Sequence, residues 1–274
     1  MNQVQSIFLA VAALGFLTSS GLYAMYFRGQ KNDFGFWATV FASGSLVVLT
    51  LSLVAGAIEL GQLPIGAVSW TVVFFLWVAV CVYLYVENRW RIKVVGSFFL
   101  PAVTAGLFLA LWLPSRREPL APILQSPWVA VHVSSMFLGY GTFLLASLSG
   151  ILYLVQEKEI KSRRLTFMHF RLPSLETLDT LSARLVSWGV LLLGAGLVTG
   201  SIWASKVWGS PWSWDPKQTW SLFTWGFYVL FLMMRYGRGW KGRKSAYLTV
   251  LGFAAVVFNV LGVTLFMTAL HRFS

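Results

Sequence analysis

Apolar residues in this chain come in runs of about 20, the length that crosses a bilayer core of about 30 Å, with short polar connections between them. Eight runs predict eight helices, at roughly 5–27, 35–58, 65–86, 94–113, 129–155, 183–205, 219–236 and 246–270. Pro101 interrupts the fourth, whose polar flank begins at Pro114. No globular insert or internal repeat separates the runs, and the longest polar stretch lies at about 156–182. The pattern predicts an all-α polytopic integral membrane protein, one transmembrane helical domain over residues 1–274.

Composition agrees. Of the residues, 57% are hydrophobic and 11% charged, against about 25% charged in soluble domains. The formal charge of +12 is explained by topology, with the lipid bilayer as counter-surface and no nucleic-acid patch. Sixteen of the 21 basic residues fall in or beside the first, third, fifth and seventh loops, and five (Arg116, Arg117, Lys206, Lys217 and Arg272) on the other face. The positive-inside rule then predicts both termini extracytoplasmic. The first segment lacks a basic n-region and reads as a retained span. Cys81, the single cysteine, allows no intrachain disulfide, CxxC pair or CxxCH haem attachment. The nine acidic residues fall in loops or at span ends, which disfavours a proton-coupled transporter, and no P-loop, HExxH or paired catalytic carboxylates occur.

The most unusual stretch joins the sixth and seventh runs. Trp208, Trp212, Trp214 and Trp220 fall within thirteen residues, broken by Gly209, Pro211 and Pro216. Proline breaks backbone ladders and glycine permits turns, so this reads as a rigid aromatic loop, 206–220, facing outward. Its flat apolar surfaces suit a large planar ligand. Interfacial anchoring accounts for Trp70, Trp77, Trp90 and Trp112 but poorly for four clustered indoles.

The same topology puts His132 at the outer end of span five and His271 at the outer end of span eight, on the side of the loop, with His169 on the opposite side. A lone histidine at a membrane boundary is usually just a tolerated polar residue. Two beside an aromatic bed match the axial ligation of haem iron. Lys206, Lys217 or Arg272 are available for propionates, and Asp215 for anchoring the loop or a histidine N–H. The glycines of Gly139-Tyr140-Gly141 and Gly194-Ala195-Gly196 read as helix-packing positions.

These residues resemble a known family. Trp208-Gly209-x-x-Trp212-x-Trp214-Asp215-Pro216-Lys217 is similar to the WWD signature of haem-handling membrane proteins: the cytochrome c assembly proteins CcsA (ResC), CcmC and CcmF, and HemX-type proteins. His132 through Tyr140 and Gln156-Glu157 resembles the CcsA segment around the first external histidine. Gly239-Trp240 through Tyr247, with Phe258-Asn259 and Leu270-His271, resembles the CcsA C-terminus. The likeness covers residues 125–274.

The resemblance implies non-covalent haem b, with His132 and His271 as axial ligands and Trp208, Trp212, Trp214 and Asp215 as its platform. It implies a CcsB/ResB-like membrane partner and an apocytochrome c acceptor. The chain would be the haem-delivery subunit of a cytochrome c synthetase, without a self-contained catalytic site, in a bacterial inner membrane or, alternatively, a thylakoid. Met233 stands where CcsA proteins carry a histidine within a span, and Gln218 where the motif often continues with Glu. The compact length and the missing histidine both lean towards a HemX-like or divergent CcsA-like member. The alternative function is therefore a HemX-like regulator of haem biosynthesis acting on glutamyl-tRNA reductase level, with the basic loop 156–182 as its contact surface. Haem transfer to quinone-linked electron transport is a third reading.

Overall fold

The computed structural model of the chain describes residues 3–61, 67–113, 125–162 and 171–262. Among these are eight α-helices: α1 (Gln3–Gly29), α2 (Asn32–Leu60), α3 (Val68–Trp90), α4 (Gly96–Trp112), α5 (Pro127–Ser162), α6 (Leu175–Trp208), α7 (Pro216–Gly237) and α8 (Arg243–Val257). A π-turn at Phe258–Gly262 follows α8. Helices are the expected form, because lipid offers backbone groups no hydrogen-bond partner and a helix satisfies them internally.

The helices follow the order of the apolar runs. Six, α1 to α6, with α4 counted from the 3-10 turn Lys93–Val95 that leads into it, are long and apolar enough to cross a membrane, which makes this a multi-pass membrane protein. The expectation of eight spans is met on those grounds for six. In α7, serine, threonine, glycine and interfacial aromatics dilute the apolar content, and α8 is described over only 15 residues. Pro101 does not end α4, which runs through it.

The helix ends differ from expectation in the polar stretch 156–182. Helix α5 continues to Ser162 and α6 begins at Leu175, because these polar flanks are themselves good helix. Lys161 pairs with Glu157 one turn back at 2.7 Å, and Ser174 caps α6 by accepting the Thr177 N–H at 3.2 Å.

The described chain forms two compact units, Met1–Gln125 with Phe170–Pro173, and Ser126–His169 with Ser174–Ser274. The first contains α1 to α4. Its polar centre is Glu87, in the last turn of α3 and 3% exposed. Thr39 of α2 donates to one carboxylate oxygen, and Tyr23 of α1 and Tyr83 donate to the other. Position alone marked Glu87 as a span-end residue. Its burial under three hydroxyls from three helices was not visible in the chain.

The second unit packs α5 against α6 and α8, with α7 against α6 and α8. One end is closed by an ion pair. Arg235, 7% exposed near the end of α7, donates to both oxygens of Asp179 on α6 at 2.7 and 2.8 Å. The same carboxylate accepts the Gly242 N–H at 2.9 Å, just before α8. Three helix ends thus share one bidentate pair, an arrangement in which removing either partner costs about 3–5 kcal/mol. At mid-depth, Phe143 of α5 stacks on Tyr228 of α7 with centroids 3.8 Å apart.

Glu87→Gln replaces an acceptor-only carboxylate with an amide that turns a donor towards hydroxyl groups. It is expected to lower stability by about 2–3 kcal/mol, read as a lower melting temperature in detergent. Exposed Asp33→Asn should melt within about 0.5 kcal/mol of the parent. Equal melting of Glu87→Gln and the parent would contradict the role given to this node.

Candidate functional site

The tryptophan-rich segment is the α6–α7 connection of the second unit, and its shape follows from its caps. Gly209 ends α6 in the left-handed conformation, φ 72°, its N–H bonded to the Ser205 carbonyl at 3.1 Å. Pro216 opens α7, and Asp215 caps it by accepting the Lys217 N–H at 2.7 Å and the Gln218 N–H at 3.4 Å. Gln218 reaches back from the helix's third position, and its carbonyl accepts the Ser213 N–H at 3.0 Å and hydroxyl at 3.1 Å. This is the reciprocal logic of a capping box. Between these anchors Trp214 adopts φ 56°, a left-handed conformation costing a non-glycine residue about 1–3 kcal/mol.

Beneath the loop lies a cavity of about 360 Å³, within the range of small-molecule sites. His132, Met136 and Tyr140 line it from α5, Trp203 and Trp208 from α6, and Trp212, Asp215 and Lys217 from the loop and α7. His132 is half-buried. Its Nδ1 lies 2.7 Å from the Gly196 carbonyl oxygen. A carbonyl only accepts, so Nδ1 carries the proton and Nε2 keeps its lone pair.

The glycines of α6 make this contact possible. A Cβ at Gly200 would come within 2.6 Å of His132 Nδ1, and one at Gly196 within 2.7 Å of Met136 Sδ. Only bare backbone lets the imidazole lie flush on α6. Gly139 meets Leu193 and Gly189 of α6 in the same seam, while Gly194 faces Trp225 of α7. The packing role expected of Gly139, Gly194 and Gly196 is therefore observed.

Two polar features complete the site. The Trp212 indole Nε1 is buried and has no hydrogen-bond partner among the described residues. Asn259, 2% exposed in the π-turn after α8, donates from its amide to Ser221 Oγ at 2.8 Å and Tyr140 OH at 3.3 Å. Ser221 and Tyr140 both line the cavity, so Asn259 ties the end of α8 to its wall.

Of the residues expected from sequence, His132, Trp208, Trp212 and Asp215 converge on this cavity. Trp214 does not line it. It is 74% exposed and meets Trp212 edge-on at 5.9 Å. Asp215 caps the helix, one of its two expected roles. Lys217 lines the cavity, whereas Lys206 packs over the Trp128 ring at 4.9 Å. Met233, at the usual position of an internal histidine, is 63% exposed and not part of the site. His271, Arg272 and His169 lie outside the described residues. Sequence reasoning missed Met136, Tyr140, Trp203 and Gly200. The spacing His132, Met136, Tyr140 marks one helix face, a signal available in the chain but silent until a partner helix is known.

A metalloporphyrin fits this donor set. An imidazole with a free Nε2, indole walls, an unspent indole N–H and the Lys217 ammonium could supply an iron ligand, an apolar bed and partners for carboxylates.

Comparison with known proteins bears on the same region. The family model for the cytochrome C assembly protein matches residues 65–271. The chain is 34% identical over 272 residues to the cytochrome c biogenesis protein CcsA of Guillardia theta, covering 91% of this chain and 89% of that one. It is 30% identical over 296 residues to the CcsA of Prochlorococcus marinus (strain NATL1A), covering 94% of each. Among solved structures it is similar in fold to the cytochrome c haem lyase CcmF. The TM-score is 0.70 at 17% identity, over 95% of this chain and 46% of that one.

Asp215→Ala removes both cap bonds and is expected to cost about 1 kcal/mol. The readout is faster hydrogen exchange at the Lys217 and Gln218 amides, with Asp215→Asn largely restoring protection. Unchanged exchange in the alanine variant would show that the loop is held by other means.

Proposed function

The chain belongs to the cytochrome c assembly protein family, and on that premise we propose that its second unit holds haem b non-covalently and presents it to apocytochrome c at the extracytoplasmic face. The observation that carries this reading is His132. Its Nδ1 is committed to the Gly196 carbonyl, which leaves Nε2 as a ligand beside a cavity walled by indoles.

Haem, when bound, supplies the vinyl groups that become thioether-linked to cysteines and an iron whose redox state depends on its axial ligands. The chain's own residues hold and orient. His132 would offer its Nε2 to the iron, the Trp212 N–H and the Lys217 ammonium would partner the propionates, and Trp208 and Trp212 would provide the apolar bed. Trp214 extends that surface beyond the cavity, and Asp215 fixes the loop through the α7 cap. His271 is proposed as the second axial ligand. Its sequence distance supports this. It follows residue 262 by nine positions, a reach of at most about 30 Å, and Asn259 already joins the end of α8 to Tyr140 and Ser221.

The outward orientation is supported by charge. Among the described residues, the basic ones around the aromatic end of the second unit are Lys206 and Lys217. Near the opposite helix ends are Lys158, Lys161, Arg235, Arg238, Lys241, Arg243 and Lys244. Such asymmetry orients membrane proteins with the basic end inside. A CcsB/ResB-like partner completes the proposed system in a bacterial inner membrane. The site lies in residues 125–274, the proposed haem-handling region of one membrane domain. No observation favours the HemX-like regulatory alternative.

The protein purified from haem-replete cells is expected to show the Soret and α bands of low-spin haem. His132→Ala should weaken haem retention at least about a hundredfold, since loss of supporting contacts alone costs about 10–100-fold, and c-type cytochromes should fall with it. Unchanged bands in His132→Ala would defeat the assignment. Lys217→Gln and Trp212→Phe are each expected to weaken retention about tenfold with band positions preserved. A shifted band maximum in either would show that these residues act on the iron itself.

A further inference from the structure

At the end of the second unit remote from the tryptophan loop, α5 and α8 enclose a cavity of about 520 Å³. Its lining changes character over two turns. Leu154 and Val155 close the apolar run of α5, and Glu157, Lys158 and Lys161 follow, with Arg243 and Tyr247 facing them from α8. The cavity therefore spans the step from hydrocarbon-compatible to charged surface, the depth at which a phospholipid's chains meet its phosphate.

The charges are arranged for an anion. Three cations, Lys158, Lys161 and Arg243, surround one carboxylate, Glu157. Glu157 draws Lys161 to 2.7 Å and Arg243 Nε to 3.7 Å, which holds both cations at the cavity without cancelling the excess. The Arg243 guanidinium also lies 5.5 Å from the Tyr247 ring centroid and donates to its hydroxyl at 3.3 Å. The Tyr247 bond uses one of its five N–H donors. Tyr247 is 46% exposed, an aromatic at the level where interfacial rings collect. No histidine or cysteine lines this cavity, so it lacks the iron ligand that distinguishes the other end.

We propose that this cavity is a binding site for one anionic glycerophospholipid. Lys158, Lys161 and Arg243 take the phosphate, and Leu154 and Val155 the start of an acyl chain. The site is independent of the haem assignment and of which face of the membrane it occupies.

The test uses the full chain in nanodiscs containing phosphatidylcholine and phosphatidylglycerol, with lipid retained after detergent exchange counted by native mass spectrometry. About one phosphatidylglycerol per chain is expected, and K158Q/K161Q/R243Q should retain at least about tenfold less. R28Q/K31Q/R89Q removes equal charge from the first unit and should retain as much as the parent. Equal loss in both triple variants, or full retention in the first, overturns the site. If the first variant fails to fold, V155W fills the apolar half with every charge intact. Loss of the lipid is then expected, and retention contradicts the proposal. Inorganic phosphate should not displace the lipid, and displacement at equal phosphate concentration would identify a free anion as the ligand.

Discussion

One hydrogen bond organises the candidate site: His132 Nδ1 to the carbonyl of Gly196. It fixes the tautomer, and with it which nitrogen keeps a lone pair. It shares the Gly196 carbonyl with the Thr199 hydroxyl, which donates to it at 3.1 Å. The bond exists because α5 and α6 approach closely along Gly139, Gly189, Gly196 and Gly200. Helices in lipid gain little from hydrophobic contact with each other, so small residues and interhelical hydrogen bonds decide their packing. In this unit the packing seam and the orientation of the His132 imidazole are the same feature.

The second unit concentrates its polar chemistry at its two ends. At one, Asp179 and Arg235 join three helix termini. At the other, Asn259 links α8 to Tyr140 and Ser221 beside the cavity. Between them lie stacked aromatics such as Phe143 and Tyr228. The ends are pinned while the loop above the cavity carries the strained Trp214 between the Gly209 and Asp215 caps. A rigid frame below an aromatic loop would suit the proposed holding and release of haem.

Much of this was legible in the chain, for local reasons. Helix positions follow from apolar runs, and the loop's caps follow from Gly209, Asp215 and Pro216, whose preferences need no partner. His132 was legible because counting spans puts it at the same end as the tryptophan loop, and both line the cavity. Met136, Tyr140 and Gly200 were not, because each matters only through which face of α5 meets which face of α6. Glu87 was read as a boundary residue, since nothing local announces that Tyr23 and Thr39 come from other helices to cover it. The helical flanks 156–162 and 175–182 were read as loop because hydropathy reports the bilayer and not the helix that extends beyond it. Met233 shows the reverse case. A position singled out by resemblance proves to be exposed.

Under the proposed function, the α5–α6 approach, and not merely the presence of a histidine, makes His132 an iron ligand. Gly200→Ala tests it most directly, because it leaves His132 in the chain and adds one methyl where a Cβ meets Nδ1 at 2.6 Å. Absorption and electron paramagnetic resonance spectra of the purified variant are predicted to show lost or high-spin haem. A low-spin spectrum identical to the parent's, at equal occupancy, would contradict the account.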